Sequence, residues 1–163
     1  MPQAARFSDP VAHPLPPVLG PGPGSANVLI GGMPAWRGVP AATAAALQKA
    51  KQTSDAAIQA AEAATLAASG TPGALAARTA EETTKAAVAT TMGAAISSAA
   101  NGADIHACTT PLPVPPHGPG VVMNASPTVL INNLPAARMG DTILEAVGPP
   151  NNIAMGCPTV LIG

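Results

Sequence analysis

The chain has 163 residues, a formal net charge of −1 and only 9% charged residues, so it has no basic field to hold a phosphate backbone, and nucleic-acid binding is excluded as a first reading. Phe7 and Trp36 are its only aromatic side chains, which keeps any core thin and makes a metal or disulfide staple useful. No run of about 18 uninterrupted apolar residues exists to predict a transmembrane helix.

The N-terminal Met1–Arg6 carries no basic region followed by an apolar stretch. The protein is therefore expected to start in the cytoplasm without a signal peptide, with Cys108 and Cys157 as reduced thiols or metal ligands. The first arm, Gln3-Ala4-Ala5-Arg6-Phe7-Ser8-Asp9, lines up with Pro135-Ala136-Ala137-Arg138-Met139-Gly140-Asp141 far downstream. Next comes Ser25-Ala26-Asn27-Val28-Leu29-Ile30-Gly31-Gly32-Met33-Pro34-Ala35-Trp36-Arg37, a β-branched run, a two-residue break and a second short arm. It is matched in spacing by Ser126-Pro127-Thr128-Val129-Leu130-Ile131-Asn132-Asn133-Leu134-Pro135-Ala136-Ala137-Arg138, and a truncated copy, Cys157–Gly163, ends the chain. Repetition at this level predicts about three copies of one unit, with the head of the chain completing the copy begun at its tail. Gly31-Gly32 and Asn132-Asn133 suit the positive φ of tight hairpin turns, so each unit reads as a β-hairpin.

The middle differs in kind. Residues 41–100 are dominated by alanine, the strongest helix former, and Gly70-Thr71-Pro72-Gly73 divides them into two arms. Leu47, Ile58 and Leu66 are expected to share a face of the first helix, and Val88, Met92 and Ile96 a face of the second. The insertion, residues 41–103, is expected to be a helical hairpin that either packs on itself or docks a cargo, chaperone or neighbouring component. Its Lys, Arg, Asp and Glu residues argue against stable membrane insertion.

His13, His106 and His117 all lie outside the insertion, in links between one returning arm and the next outgoing strand. In a hairpin model those links gather at one pole, and Cys157, at the start of an outgoing strand, falls there too. Three imidazoles and one thiolate describe a four-coordinate structural zinc site without an open position. Cys108, two residues from His106, is the rival fourth ligand. Asp9, Asp104, Asp141 and Glu145 read as turn formers, and no nucleophile–base pair or paired carboxylate points to an enzyme.

Leu134-Pro135-Ala136-Ala137-Arg138-Met139-Gly140-Asp141, the strands at Ser126–Ile131 and Met155–Gly163, and His117-Gly118-Pro119-Gly120 resemble the proline–alanine–alanine–arginine (PAAR) repeat proteins. The resemblance covers residues 1–40 and 104–163. It implies a mainly β, conical fold with near three-fold symmetry, and zinc held by three histidines and a cysteine near the apex, here His13, His106, His117 and Cys157. It also implies that the broad base, with the turns Gly31-Gly32 and Asn132-Asn133, binds the trimeric β-helical spike, of the valine–glycine repeat type, of a type VI secretion system, extracellular injection particle or contractile phage tail. Such a tip is not an enzyme and leaves the cell with its machine. The rival functions are an effector-recruiting adaptor acting through the helical hairpin and a small zinc hydrolase. Trp36, where the motif has alanine, and the insertion before Asp104 depart from the pattern.

Overall fold

A computed structural model describes residues 1–12, 18–108 and 117–163. The strands are short: β1 (Gln3–Ala4), β2 (Leu29–Ile30), β3 (Met33–Pro34), β4 (His106–Cys108), β5 (Gly118–Val122), β6 (Leu130–Ile131), β7 (Leu134–Pro135), β8 (Thr142–Glu145), β9 (Asn151–Asn152) and β10 (Cys157–Leu161). Between β3 and β4 lie α1 (Ala41–Ala67) and α2 (Ala74–Ala100). Each helix has 27 residues and no strand exceeds 5, so the expected mainly β class becomes a mixed one with curled antiparallel sheets. The strands are short because much of the pairing is made by single bridges between arms.

β2 pairs with β3 and β6 with β7 around two-residue turns. Gly31, Gly32, Asn132 and Asn133 all have positive φ, the conformation that matches the twist of a tight hairpin. In the third unit β10 pairs instead with β1, from the other end of the sequence.

Three arms close on one another in a cycle. Ala5 N donates to Ala137 O, Ala137 N to Trp36 O and Trp36 N to Ala5 O, each at 2.9 Å. The bridges Ala4↔Arg138, Ala136↔Arg37 and Ala35↔Arg6 repeat the same order. The bonds from Phe7 N to Pro34 O, Gly38 N to Pro135 O and Met139 N to Gln3 O join the same three arms with the donors running the opposite way round. Beneath this ring Ile30, Ile131 and Ile162 are buried with Ala4, Ala35 and Ala136. Above it Trp36 fills a layer with Val11, Leu19, Val122, Ile143 and Ile153. A ring position near such an axis has room for one large side chain, which is why the equivalent places hold Ala5 and Ala137. Trp36 therefore departs from the motif without changing the bonding of its repeat.

Each arm ends in an arginine clamped to an aspartate. Arg6, Arg37 and Arg138 donate their backbone N–H to Asp9, Asp104 and Asp141 at 2.7, 2.8 and 2.7 Å, and their guanidinium groups to the same carboxylates. The side-chain hydrogen bond that Arg6 donates to Asp9 raises the pKa of Arg6, and the one that Arg37 donates to Asp104 does the same for Arg37. Two pairs are three residues apart in sequence; in the second repeat the whole helical hairpin intervenes. The hairpin thus occupies the place of the short turns Phe7-Ser8 and Met139-Gly140.

Ala44, Leu47, Val88, Met92, Ile96 and Ala100 bury the proximal half of the hairpin against Val121, Leu144, Ala146 and Val147. Val88, Met92 and Ile96 face inward as their spacing predicts. Leu66 does not continue the stripe of Leu47 and Ile58: it is 78% exposed, because at 3.6 residues per turn it stands about a quarter-turn off their face, while Thr65 turns toward α2 and donates to Ala77 O at 3.2 Å. Among the described residues no helix is long and apolar enough to cross a membrane.

Candidate metal centre

The four-stranded sheet runs β4-β5-β8-β9, antiparallel throughout. Its register lines up His106, Gly120 and Glu145 across three strands. Paired residues share a face of a sheet, and so do residues two apart, which adds Cys108 to the face of His106. Gly120 carries no side chain in the middle of this row. A Cβ there would lie 2.9 Å from Glu145 Cγ and 2.9 Å from Ile143 Cγ2, so only glycine lets the flanking side chains converge.

Across that gap His106 Nε2 and Glu145 Oε1 stand 3.5 Å apart, both side chains fully buried. His117 Nδ1 is 2.6 Å from Glu145 Oε2, and Asn151 Nδ2 donates to the same oxygen at 2.9 Å. Ligand atoms of Cys108, His117 and Glu145 all lie within 4.8 Å of one another, and all three residues are buried. Neither ring nitrogen of His106 has a hydrogen-bond partner among the described residues, nor does Glu145 Oε1. Buried polar atoms are paired almost everywhere in folded proteins, so such a concentration in one place marks a site.

Of the residues singled out from sequence, Cys108 and His117 converge on Glu145, His106 stands beside the other oxygen of Glu145 outside that trio, and His13 lies outside the described residues. Cys157 is placed elsewhere, and the reason is its position in the repeat. It corresponds to Ser25 and Ser126, whose hydroxyls accept from Val28 N at 3.1 Å and Val129 N at 3.0 Å. Ser25 Oγ also reaches Asn132 Oδ1, and Ser126 Oγ the carbonyl of Gly163. Completing the cycle, Cys157 Sγ sits 3.1 Å from where a Cβ of Gly31 would be. Its thiol lies 3.3 Å from Thr159 Oγ1, and hydrogen bonds from Thr159 hold its pKa below the ordinary thiol value. Cys157 therefore closes a turn in the layer of the hairpin loops, and Cys108 is the thiol beside His117.

Glu145 is the residue missed by reading it as a turn former. The signal was present: His13, Cys108 and Glu145 each follow an arginine-clamped aspartate, Asp9, Asp104 and Asp141, by four residues. The remaining acidic residues of the β portion are those three clamps.

The opposite end of the β portion is apolar and exposed. Leu29, Leu130 and Leu161, at the same position of the three units, are 62%, 59% and 51% exposed. The isoleucine that follows each of them is buried.

Comparison with protein families identifies the PAAR motif over residues 113–163. No curated protein and no solved structure shows a significant match to the chain.

Proposed function

Residues 113–163 make this a PAAR-motif chain, and from that premise we propose that it is the zinc-stabilised tip that caps the trimeric β-helical spike of a contractile secretion or injection machine. The observation that carries the reading is the cyclic bonding of three arms within a single chain. A three-fold spike ends in three equivalent strand ends, and one chain can cap all three only by offering three equivalent contacts. Leu29, Leu130 and Leu161 are such a set, beside the turns Gly31-Gly32 and Asn132-Asn133. Apolar side chains and unpaired strand edges there suit capping by strand addition. The opposite end forms the point of the cone.

The residues at that end fit zinc. A cysteine, two histidines and a carboxylate supply sulfur, nitrogen and oxygen donors, and His106 has two buried nitrogens without a hydrogen bond among the described residues. His13 joins them by the resemblance. When bound, zinc would supply a crosslink, holding the end of β4, the residue before β5 and the end of β8 together where the chain has little apolar mass. Gly120 provides the space and Asn151 steadies Glu145. The described donors are all buried, which favours a structural role over hydrolysis. The chain would be made in the cytoplasm and exported with the spike.

Purification with candidate spike trimers, with zinc measured on the same sample, tests the proposal. A stable one-to-three complex lost in a Leu29→Asp, Leu130→Asp, Leu161→Asp variant is expected. A variant that binds as well as the parent would refute the base assignment.

A second reading is favoured by one observation. Leu66 and Leu75 stand 78% and 77% exposed where the far end of the hairpin turns, a surface suited to an effector or chaperone. Removal of residues 41–100 would then abolish cargo recruitment and leave spike binding intact.

A further inference from the structure

The two oxygens of Glu145 have different surroundings. Oε2 is occupied, with His117 Nδ1 at 2.6 Å and Asn151 Nδ2 at 2.9 Å. Oε1 is buried and has no hydrogen-bond partner among the described residues. His106 Nε2, also buried and also without a hydrogen bond among the described residues, stands 3.5 Å from it. That separation is too long for a good N–H···O bond. It is close to the edge of a tetrahedron with metal–ligand bonds of about 2.0–2.2 Å, which is roughly 3.4 Å. Two buried lone-pair atoms at the spacing of neighbouring ligands have a simple explanation in an ion shared between them.

Charge points the same way. Glu145 is fully buried. Among the described residues no lysine or arginine pairs with it. A buried anion needs a counter-charge. A divalent ion bound by one thiolate, one carboxylate and neutral imidazoles has no net charge, whereas three imidazoles and a thiolate leave one positive charge in the interior. The repeat supplies the third argument. Glu145 follows Asp141 by four residues, as His13 follows Asp9 and Cys108 follows Asp104, so a carboxylate stands in the third unit where the first has an imidazole.

We propose that Glu145 is itself a ligand of the metal, through Oε1, with Oε2 holding His117 in place. The inference rests on the metal centre proposed above and assigns the two oxygens of its carboxylate to different tasks.

The test uses the full chain, stripped with EDTA and titrated with Zn²⁺ against a chromophoric chelator and with Co²⁺ by visible absorption. Glu145→Gln is expected to weaken zinc binding by at least about 10–100-fold, the range seen when even an outer partner of a ligand is lost, and to shift the cobalt ligand-field bands. Glu145→His, which installs the first unit's residue, is expected to recover most of the affinity with a spectrum of its own. Asn151→Leu removes a partner of Oε2 and leaves Oε1, so it should alter affinity less than Glu145→Gln and keep the parent's band positions. If Glu145→Gln fails to fold, Glu145→His carries the test. Parent-like affinity and an unchanged cobalt spectrum in both Glu145 variants would overturn the proposal. A parent protein that takes up neither ion would instead overturn the metal centre, and this inference with it.

Discussion

Trp36 offers the sharpest test of the axial packing. Its side chain is fully buried in the layer with Ala5, Val11, Leu19, Val122, Ala137, Ile143 and Ile153, and its Cη2 lies 3.0 Å from where a Cβ of Gly22 would stand. An indole removes roughly 200 Å² from water, which at about 25 cal/mol per Å² amounts to roughly 5 kcal/mol. Trp36 Nε1 has no hydrogen-bond partner among the described residues, and an unpaired buried N–H subtracts about 1–3 kcal/mol. Trp36→Ala should therefore destabilise by about 3 kcal/mol, the low end of the roughly 3–5 kcal/mol typical of such truncations. For a chain of this length that is a fall in Tm of about 6–12 °C. Trp36→Phe retains most of the packing and removes the unpaired N–H, so it should lose about 1 kcal/mol or less. Calorimetry in EDTA keeps metal binding from masking the difference, and it does not depend on the fluorescence of the chain's single tryptophan. Equal losses in the two variants, or a shift below about 2 °C in the alanine variant, would show that the ring does not fill this layer.

Replacing Cys108 with serine should abolish stoichiometric zinc, measured by mass spectrometry, while Cys157→Ser keeps it. Serine already occupies the positions equivalent to Cys157, so that variant should fold normally; loss of zinc from it alone would reverse the assignment of the thiol. Asp104→Ala strips a buried carboxylate from the Arg37 guanidinium and backbone N–H. It should lower stability by about 2–4 kcal/mol, near the range for breaking a buried ion pair. A loss under about 1 kcal/mol in urea denaturation would mean that the clamp across the insertion is dispensable.

The repeat, its turns and the two helices were legible because each is encoded locally. Gly-Gly and Asn-Asn announce positive φ, and an alanine-rich stretch has few conformations as favourable as a helix. What escaped was set by the third dimension. Cys157 was grouped with the histidines because chain order placed it in a link. Its alignment with Ser25 and Ser126, which decides its role, compares positions within the unit. Glu145 escaped for a related reason: a lone acidic residue looks like surface until register puts it across Gly120 from His106. Leu66 was grouped with Leu47 and Ile58, yet at 3.6 residues per turn it falls about a quarter-turn off their face and remains exposed, while Thr65 meets α2. The mainly β expectation underestimated how much of the ring is built from single bridges, which leave little continuous strand.

The pairing of β1 with β10 makes Gln3–Ala4 and Cys157–Leu161, far apart in sequence, neighbours in the same layer. During synthesis the first arm therefore emerges long before its mate, and the buried ring cannot be sealed until Cys157–Ile162 has left the ribosome. The early product is an open clasp that must avoid wrong partners in the meantime. Low aromatic content and proline-studded, very short strands suit that wait, because they give an unfinished clasp little surface on which to aggregate.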